Sequence, residues 1–350
     1  MAHADKPRLR VGIIGCGRVV ERFHLPALTS SRSWTVAAAS DVNAERRRWF
    51  EQNLGGVPVF AKPEQMLEAV ELDAALVATH PELHADLAAM AVAHGLHALV
   101  EKPGGTSLPQ AQAMIEAARL AGTYIWVSYN RRFMSNYVAL GATLGSLQNL
   151  PAVRGRFALS FDPERWDSVE GRMAAGPAGS GVAVDVAAHQ LDALGWLTHR
   201  SVRSIEVSEW SRPPGQELLH YRVDLEGGWS IDCLARHGRG YQEQMLLEWD
   251  GGGAALFPTG IHRRGRPNRR IEHLVIWGKH WAHRKLIRLG LTEDVLARSF
   301  YYQWEAFAKA VGGLQAQAGA TSEAVLSAHA GLQAIHTSWE SGGSGGKAAG

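Results

Sequence analysis

The sequence predicts an α/β protein in which a doubly wound parallel sheet is followed by a second α/β domain with a large, mainly antiparallel open sheet. From residue 9 to residue 127, short apolar runs alternate with segments of helical length, as in parallel sheets covered by helices. From about residue 152 onward, several runs alternate polar and apolar residues with period two. This second pattern is typical of antiparallel strands with one covered face.

The elements of the first part follow one another in regular alternation. Apolar runs predict the strands, and the longer segments between them predict the helices. The predicted strands are 9–14, 34–40, 57–60, 73–78, 96–101 and 124–127. The predicted helices are 18–29, 43–53, 63–70, 81–94 and 108–121.

The pattern changes near residue 130, and this change divides the chain into a first domain, 1–130, and a second domain, 131–340. The last residues, 341–350, are rich in glycine, serine and alanine, and we expect a disordered tail there. The second domain has predicted strands at 152–161, 202–209, 217–225, 229–235 and 244–249. Its predicted helices are 132–144, 182–197, 300–311 and 322–340.

Composition restricts the possible partners and locations. The chain has 350 residues, 46% hydrophobic and 20% charged, as expected for a globular protein of two domains. A net charge of +2 gives no reason to expect a nucleic-acid partner, and no apolar run is long enough to predict a membrane span. The first residues lack a signal-peptide core, and Cys16 and Cys233 form no disulfide framework or metal-type cluster. We therefore expect a cytoplasmic protein without a metal.

A glycine turn, Gly15-Cys16-Gly17, follows the first predicted strand. Gly15 permits the tight bend, Gly17 lets the backbone approach a pyrophosphate, and the helix from Arg18 and Val19 directs its positive end toward that group. Val20 replaces the usual third glycine, which serves helix–strand packing. The alternative is a purely structural turn of an α/β domain.

Asp41 ends the second predicted strand, where a carboxylate can bind a ribose hydroxyl and repel a 2′-phosphate. NAD is therefore predicted in preference to NADP. The arginines that follow, Arg46 to Arg48, leave NADP open, because one of them could reach a phosphate. A solvated helix face is the other interpretation of these arginines.

Lys102 follows the fifth predicted strand, within the triplet Glu101-Lys102-Pro103. Parallel sheets bind ligands at the carboxyl ends of their strands, so an amine there can hold a substrate oxygen beside a nicotinamide. Glu101 and Lys102 are both predicted to line the cofactor site. The alternative for Lys102 is an ordinary surface charge.

Asp185 and His189 are four residues apart in a predicted helix and share one face of it. An imidazole suits a general base at neutral pH, and His189 can take a hydroxyl proton while Asp185 orients the imidazole or a neighbouring hydroxyl. One alternative is an ordinary helix with a buried histidine. A metal site is a weaker alternative, since it needs a third ligand from elsewhere.

Further site residues are predicted from their place in the pattern. Thr79, His80 and His84 lie at a strand end and a helix start beside the expected cofactor. Asn130 and Arg131 lie where the first domain gives way to the second and are predicted to contact substrate. Arg165 and Trp166 are predicted to lie in a loop over the substrate, although an ordinary surface loop is the alternative.

Five ordered segments resemble the glucose-fructose oxidoreductase / inositol dehydrogenase / MocA family of nicotinamide-dependent enzymes. The resemblance covers nearly the whole chain, about residues 8 to 340. Together, at family-like spacing, the segments are more specific than any one of them. They are Gly12 to Arg18, Ala78 to His84, Glu101-Lys102-Pro103, Asn130 to Phe133 and Asp185 to His189.

The resemblance implies a Rossmann domain that binds NAD, followed by a domain for substrate binding and oligomerisation. It implies that Lys102 and His189 bind the substrate and handle its proton, with Asp185 assisting. It also implies a homodimer or homotetramer formed through the sheet of the second domain. Val20 and His80 depart from the family, in which alanine or glycine and proline, respectively, are common at these positions.

The leading hypothesis is an NAD(H)-dependent oxidoreductase that transfers hydride between nicotinamide and a secondary alcohol or ketone of a sugar, cyclitol or sugar derivative. A second hypothesis is reduction of a C=N or C=C bond in a small metabolite, with Lys102 or His189 protonating the product. A third is a non-catalytic, cofactor-binding subunit. The joint presence of Lys102, Asp185 and His189 argues against the third.

Overall fold

The computed structural model describes residues 7–145, 152–161, 181–211, 216–238, 241–257, 260–264, 294–313 and 319–342. Arg165 and Trp166 lie outside these residues, as does most of the predicted tail, 343–350. The chain forms two compact units. The first comprises Met1–Asn130 and Ala297–Leu326, and the second comprises Arg131–Leu296 and Ser327–Gly350. The sequence analysis assigned 297–326 to the second domain, whereas the contacts of these residues group them with the first unit.

The first unit is built on a parallel sheet. Its strands are β1 (Leu9–Ile14), β2 (Trp34–Ser40), β3 (Val59–Phe60), β4 (Ala74–Val77), β5 (His97–Val100) and β6 (Ile125–Val127). The strand order is β3-β2-β1-β4-β5-β6, and every neighbouring pair is parallel. Strands β2 and β3 are added on one side of β1, whereas β4, β5 and β6 are added on the other side. Sheets of this order bind ligands at the carboxyl ends of the strands, beside the point where the order of strand addition reverses.

Five helices connect these strands. They are α1 (Leu25–Ser30), α2 (Ala44–Asn53), α3 (Pro63–Ala69), α4 (Pro81–Ala93) and α5 (Leu108–Ala121). A π-helical turn, Val20–His24, leads into α1, so the helix predicted at 18–29 is not regular throughout. The local sequence explains the helix ends: the Asn43 side chain caps α2, Ser107 caps α5, and Gly122 ends α5 in the left-handed conformation.

The second unit contains a mixed sheet. Its strands are β7 (Val153–Phe161), β8 (Val202–Ser211), β9 (Leu218–Leu225), β10 (Trp229–His237), β11 (Gln242–Trp249), β12 (Gly252–Phe257) and β13 (Gly260–Arg264). The order is β13-β12-β11-β7-β10-β9-β8. Only the β7–β10 pair among these seven strands is parallel, so the predicted, mainly antiparallel sheet is confirmed.

The alternating burial along β10 confirms that one face of this sheet is covered. Trp229, Ile231, Cys233, Ala235 and His237 are buried, whereas the residues between them are more exposed. β12 and β13 were missed by the sequence analysis. The Gly251-Gly252-Gly253 run explains the omission of β12, because glycine is depleted in strands and marks loops in sequence-based prediction.

Four more helices complete the described chain: α6 (Ser135–Gly145), α7 (Ala188–Thr198), α8 (Val295–Val311) and α9 (Ser322–Gly342). A 3₁₀ turn, Asn130–Phe133, precedes α6, so this helix starts later than predicted. A π-helical turn, Ala183–Ala187, leads into α7. In the described part of the chain, no helix is both long and apolar enough to cross a membrane.

Helix α8 packs into the first unit through aromatic side chains. The Trp34 indole donates a hydrogen bond of 2.8 Å to the Trp304 carbonyl, and its ring stacks on Phe307 at 5.7 Å. Phe307 also contacts Trp126, with ring centroids 5.3 Å apart. Aromatic pairs of this kind stabilise a core beyond the area they bury. This packing explains why α8 groups with the parallel sheet of the first unit despite its distance in sequence.

Candidate active site

The glycine turn follows β1 and closes against the end of β4. Gly15 has φ +94°, and a Cβ added to it would lie 2.5 Å from the Ala78 carbonyl oxygen, so this position requires glycine. A Cβ added to Gly17 would meet no atom within 4 Å, so the backbone there is open to a ligand. The first helical N–H groups follow directly, as in sites that bind phosphate. The turn therefore fits the pyrophosphate of a dinucleotide.

Cys16, Arg18 and Val19 are the other residues predicted to contact the cofactor in this turn. Burial raises the pKa of the Cys16 thiol far above its usual value, so the thiol stays neutral, and the backbone N–H and carbonyl of this residue bond Asp41 and Arg46. Arg18 and Val19 are half-buried at the start of the helical segment. Val20 is fully buried, in keeping with the packing role of the glycine that it replaces.

Asp41 and Arg46 hold the glycine turn from the side of β2. The Asp41 Oδ2 atom accepts a hydrogen bond of 2.7 Å from the Cys16 N–H, and its Oδ1 atom accepts one of 2.8 Å from the Asn43 N–H. Arg46 donates from Nε to the Cys16 carbonyl at 2.6 Å and pairs with Glu21 at 2.9 Å. The Arg46 guanidinium is thus bound to the turn and to a carboxylate. The contact with Cys16 shows that Asp41 supports the glycine turn. Its predicted role in selecting NAD is a second function of the same carboxylate.

Replacing Asp41 by alanine is expected to narrow the ratio of NADH to NADPH affinity by about tenfold, equivalent to about 1.4 kcal/mol. The physical reason is the loss of a negative charge that repels the 2′-phosphate and accepts a ribose hydroxyl. Fluorescence titrations with NADH and NADPH measure this ratio directly.

The matched control is Asp41→Asn, which keeps an oxygen that can accept the Cys16 N–H but removes the charge. If the charge selects the cofactor, both variants narrow the ratio. If the affinity ratio changes only in Asp41→Ala, Asp41 supports the turn and does not select the cofactor.

Thr79, His80 and His84 lie where β4 ends and α4 begins. His80 is the exposed N-cap residue of α4, and Thr79 lies beside Gly15. His84 is buried, with Nδ1 2.7 Å from the Pro103 carbonyl oxygen and Nε2 3.0 Å from that of Thr79. Burial lowers the pKa of His84 and outweighs the raising effect of the two carbonyls. His84 thus links the loops that follow β4 and β5.

Glu101 ends β5 as a buried carboxylate held by His24. The His24 Nε2 and Glu101 Oε1 atoms are 2.8 Å apart, and the Trp304 indole N–H lies 3.1 Å from His24 Nδ1. An indole N–H can only donate, so Nδ1 accepts and the proton of a neutral His24 resides on Nε2. Burial alone would raise the pKa of Glu101, but the His24 hydrogen bond and the charge of Lys102 bring it below its usual value.

Lys102 is half-buried at the carboxyl end of β5. Its backbone N–H donates to Glu101 Oε2 at 3.1 Å, so the carboxylate of Glu101 fixes the backbone from which the lysine side chain extends. His84 binds the next residue, Pro103, through its carbonyl. Two buried side chains therefore define the position of this lysine, and the glycine turn lies on the same edge of the sheet.

Asp185 and His189 lie in the π-helical turn and in α7 of the second unit. His189 is 6% exposed, and its ring meets Phe161 edge to face with centroids 5.9 Å apart. The Asp185 side chain is 38% exposed, and its Oδ2 atom lies 3.1 Å from Nε2 of His237. The carboxylate of Asp185 is therefore accessible to solutes, whereas the imidazole of His189 packs against an aromatic ring.

Asn130 and Arg131 are buried among internal partners. Asn130 Nδ2 donates to Ser299 Oγ at 3.2 Å, and Arg131 Nε donates to Glu243 Oε1 at 2.6 Å. The next residue, Arg132, forms a two-pronged ion pair with Asp192 of α7, with nitrogen–oxygen distances down to 2.6 Å. Contact of Asn130 and Arg131 with substrate stays a prediction, and the structure adds a structural role for both.

Residues 9–129 match the family described as "Oxidoreductase family, NAD-binding Rossmann fold". The chain is also 27% identical over 322 residues to the rhizopine catabolism protein MocA of Rhizobium meliloti, with 91% of each chain covered. The chain is similar to the glucose-fructose oxidoreductase / inositol dehydrogenase / MocA family over residues 9–129. It is accordingly an NAD-dependent oxidoreductase, as the glycine turn and Asp41 predict.

Other relatives of this oxidoreductase have related names. D-glucoside 3-dehydrogenase of Escherichia coli K12 is 26% identical over 278 residues, covering 73% of this chain and 78% of its own. The solved structure of the WlbA dehydrogenase of Bordetella pertussis, in complex with NADH and UDP-GlcNAcA, has a TM-score of 0.74 at 17% identity. The alignment covers 97% of this chain and 98% of that one, and it shows a shared fold.

Several residues around the predicted site of this oxidoreductase were missed by sequence reasoning. They support the predicted residues from distant parts of the chain: His24, Trp304, Glu217, His237 and Asp192. No local pattern distinguishes them, because each is a single polar or aromatic residue within an ordinary helix or strand segment. Only the folded chain brings them next to Glu101, Asp185 and Arg132.

Proposed function

We propose that this oxidoreductase transfers hydride between NAD and a secondary alcohol or ketone of a sugar, a cyclitol or a sugar derivative. Bound NAD supplies the nicotinamide ring for hydride transfer. In this proposal, Lys102 binds the reacting oxygen of the substrate and His189 takes or returns the hydroxyl proton. Asp185 assists by accepting a hydrogen bond from a substrate hydroxyl.

The observation that carries the proposal is the position of Lys102 at the carboxyl end of β5. The glycine turn after β1 lies on the same edge of the parallel sheet, which is the edge where sheets of this order bind their ligands. A lysine whose backbone is held by Glu101 and, through Pro103, by His84 is suited to polarise a carbonyl or to stabilise an alkoxide as it forms.

The pair Asp185 and His189 supports the same chemistry from the second unit. An imidazole changes its protonation state near neutral pH, so it is suited to exchange a proton with a hydroxyl group. The rings of Phe161 and His189 meet edge to face, and this contact favours one orientation of the imidazole. Orientation matters because a proton is transferred only along a short hydrogen bond.

The names of the relatives support the substrate class. D-glucoside 3-dehydrogenase is named for a sugar derivative, and myo-inositol 2-dehydrogenase of Thermotoga maritima is named for a cyclitol. Both substrates carry several secondary hydroxyl groups, which is the chemistry that the proposal assigns to this site.

The test is to mix the purified protein with NAD and a pool of cyclitols, free sugars and sugar nucleotides and to follow the absorbance of reduced nicotinamide. We expect the absorbance to rise with at least one member of the pool, and division of the pool then identifies the substrate. The same pool with NADP in place of NAD is expected to give a slower rise.

The absence of any rise, in a protein that still binds NADH, would contradict the proposal. In that case ketones of the same compounds, and then substrates with C=N or C=C bonds, are assayed for oxidation of NADH. No turnover in any of these assays would favour a non-catalytic, cofactor-binding subunit.

Two further parts of the proposal concern assembly and location. We expect a homodimer or homotetramer formed through the sheet of the second unit, and light scattering of the purified protein tests this. We also expect the protein to work in the cytoplasm, since both of its cysteines, Cys16 and Cys233, are free and buried.

A further inference from the structure

His237, the last residue of β10, lies between two carboxylates. Its Nδ1 atom is 2.7 Å from Oε2 of Glu217, and its Nε2 atom is 3.1 Å from Oδ2 of Asp185. The His237 side chain is fully buried, that of Glu217 is 10% exposed, and that of Asp185 is 38% exposed. The three side chains therefore form a row that runs from the interior of the second unit to the accessible carboxylate of Asp185.

The hydrogen-bonding capacity of the three groups defines the charge of this row. Ionised carboxylates can only accept hydrogen bonds, so an imidazole that bonds both of them must donate from both ring nitrogens and carry a positive charge. Burial alone would lower the pKa of His237, but the hydrogen bonds and charges of Asp185 and Glu217 outweigh it and raise the pKa to about 9. At neutral pH the ring is an imidazolium.

Glu217 anchors this row to the segment that carries Asp185. Its Oε2 atom also accepts a hydrogen bond of 2.9 Å from the N–H of Val182, three residues before Asp185. A Cβ added to Gly181 would lie 2.6 Å from the same oxygen, so the carboxylate fits closely against the start of this segment. The Glu217 carbonyl accepts the backbone N–H of His237 at 2.8 Å, which ties the two residues together.

We propose that His237, braced by Glu217, is a positioning residue for Asp185: it holds the Oδ2 atom and directs Oδ1 toward the substrate. This inference rests on the proposed function, in which Asp185 touches the substrate. His237 itself is buried and does not touch the substrate. Its effect on the reaction passes through Asp185 alone, and this property makes the inference testable.

Among the described residues, the charged groups that act on His237 are Asp185, from the π-helical turn, and Glu217, directly before β9. Its parallel neighbour in β7 is Phe161, which carries no charge. The protonation of His237 therefore depends on these two carboxylates. Removal of either charge is expected to make the ring release its proton at lower pH.

The first test measures this protonation and does not require a substrate. In protein labelled with ¹⁵N-histidine, the imidazole resonances of His237, assigned with a His237→Gln variant, are followed by NMR from neutral to alkaline pH. We expect both ring nitrogens to stay protonated until about pH 9. In Asp185→Asn the titration is expected to move down by about one unit or more, because an opposite charge at this distance contributes that much. A neutral His237 ring at pH 7, or an unchanged titration in Asp185→Asn, would overturn the inference.

The second test is a kinetic double-mutant cycle with the substrate identified by the pool assay. His237→Gln is expected to lower kcat by about tenfold to a hundredfold, because a misplaced reacting group costs that order of rate. In protein that already carries Asp185→Asn, His237→Gln is expected to lower kcat by less than about twofold. Equal losses in both backgrounds would overturn the inference, since a merely structural role does not depend on Asp185.

The matched control is His220→Gln, a change at an exposed histidine of the neighbouring strand β9, which is expected to leave both tests unchanged. The two tests separate the inference from the proposed function. Absence of any turnover in the parent protein would refute the proposed function. The titration of His237 would still show whether its ring is charged between Asp185 and Glu217.

Discussion

Replacement of Lys102 by methionine is expected to lower kcat by about 10²–10⁴-fold, the usual contribution of a group that handles a proton or charge in the transition state. Methionine keeps most of the apolar stem but removes the ammonium group that the proposal places on the substrate oxygen. His189→Gln is expected to have a loss of the same order, because an amide cannot take up the hydroxyl proton. Initial-rate kinetics with the identified substrate measure both effects.

The affinity for the cofactor separates a catalytic loss from damage to the fold. We expect the Kd for NADH to change by less than about twofold in both variants, since the proposed roles of Lys102 and His189 concern the substrate. Lys62→Met and His220→Gln are the matched controls, because Lys62 and His220 are exposed residues of the first and second unit, respectively. Full activity of both Lys102→Met and His189→Gln would refute the proposed assignment.

Replacement of Arg131 by methionine is expected to lower the free energy of unfolding by about 3–5 kcal/mol, the usual cost of leaving one charge of a buried pair without its partner. The side chains of Arg131 and Glu243 are 2% and 0% exposed, and the pair is joined at 2.6 Å. Burial alone would lower the pKa of Arg131, but the charge of Glu243 raises it above its usual value. Arg131 therefore remains charged in the core.

Glu243 has further partners that depend on this pair. Its Oε1 atom accepts a hydrogen bond of 2.7 Å from the Tyr137 hydroxyl, and its Oε2 atom accepts one from Tyr241. Phe161 stacks on Tyr241 at 5.8 Å and also contacts His189. Loss of Arg131 therefore weakens the packing behind the proposed general base as well as the core.

Urea unfolding followed by circular dichroism measures this prediction. The double variant Arg131→Met, Glu243→Gln is expected to lose less than the sum of the two single variants, because neither charge is then left alone. Arg119→Met, at the exposed Glu116–Arg119 pair, is expected to leave the unfolding midpoint unchanged. A loss below about 1 kcal/mol for Arg131→Met would show that the charge of Glu243 is not isolated from water.

Much of the fold follows from local patterns in the sequence. The strands at 9–14 and 34–40 and the helix at 108–121 have the predicted bounds, because apolar runs, a serine cap and a terminal glycine define them locally. The irregular segments were not predictable in the same way. The π-helical turns Val20–His24 and Ala183–Ala187 have ordinary helical sequences, and nothing local marks the extra residue.

In the predicted site too, some residues could be interpreted from local sequence and others could not. Gly15 and Gly17 could be interpreted from the sequence because a backbone conformation and an open approach require glycine at these positions. Lys102 and the Asp185–His189 pair were predicted from spacing and from a family resemblance. Asn130 and Arg131 were predicted to contact substrate, and the sequence alone did not reveal that both are buried among internal partners.

The sequence by itself determined the alternating α/β architecture and the glycine turn after the first strand, and it supplied the residues that we propose for proton transfer. These features depend on local periodicity and on residue types at short spacing. Tertiary structure alone decided which side chains support them. Trp304 and His24 meet at Glu101, and His237 and Glu217 meet at Asp185, because helix packing and strand pairing join segments far apart in the chain. Buried polar groups need partners wherever the fold supplies them, and a local pattern cannot specify a partner that is distant in sequence.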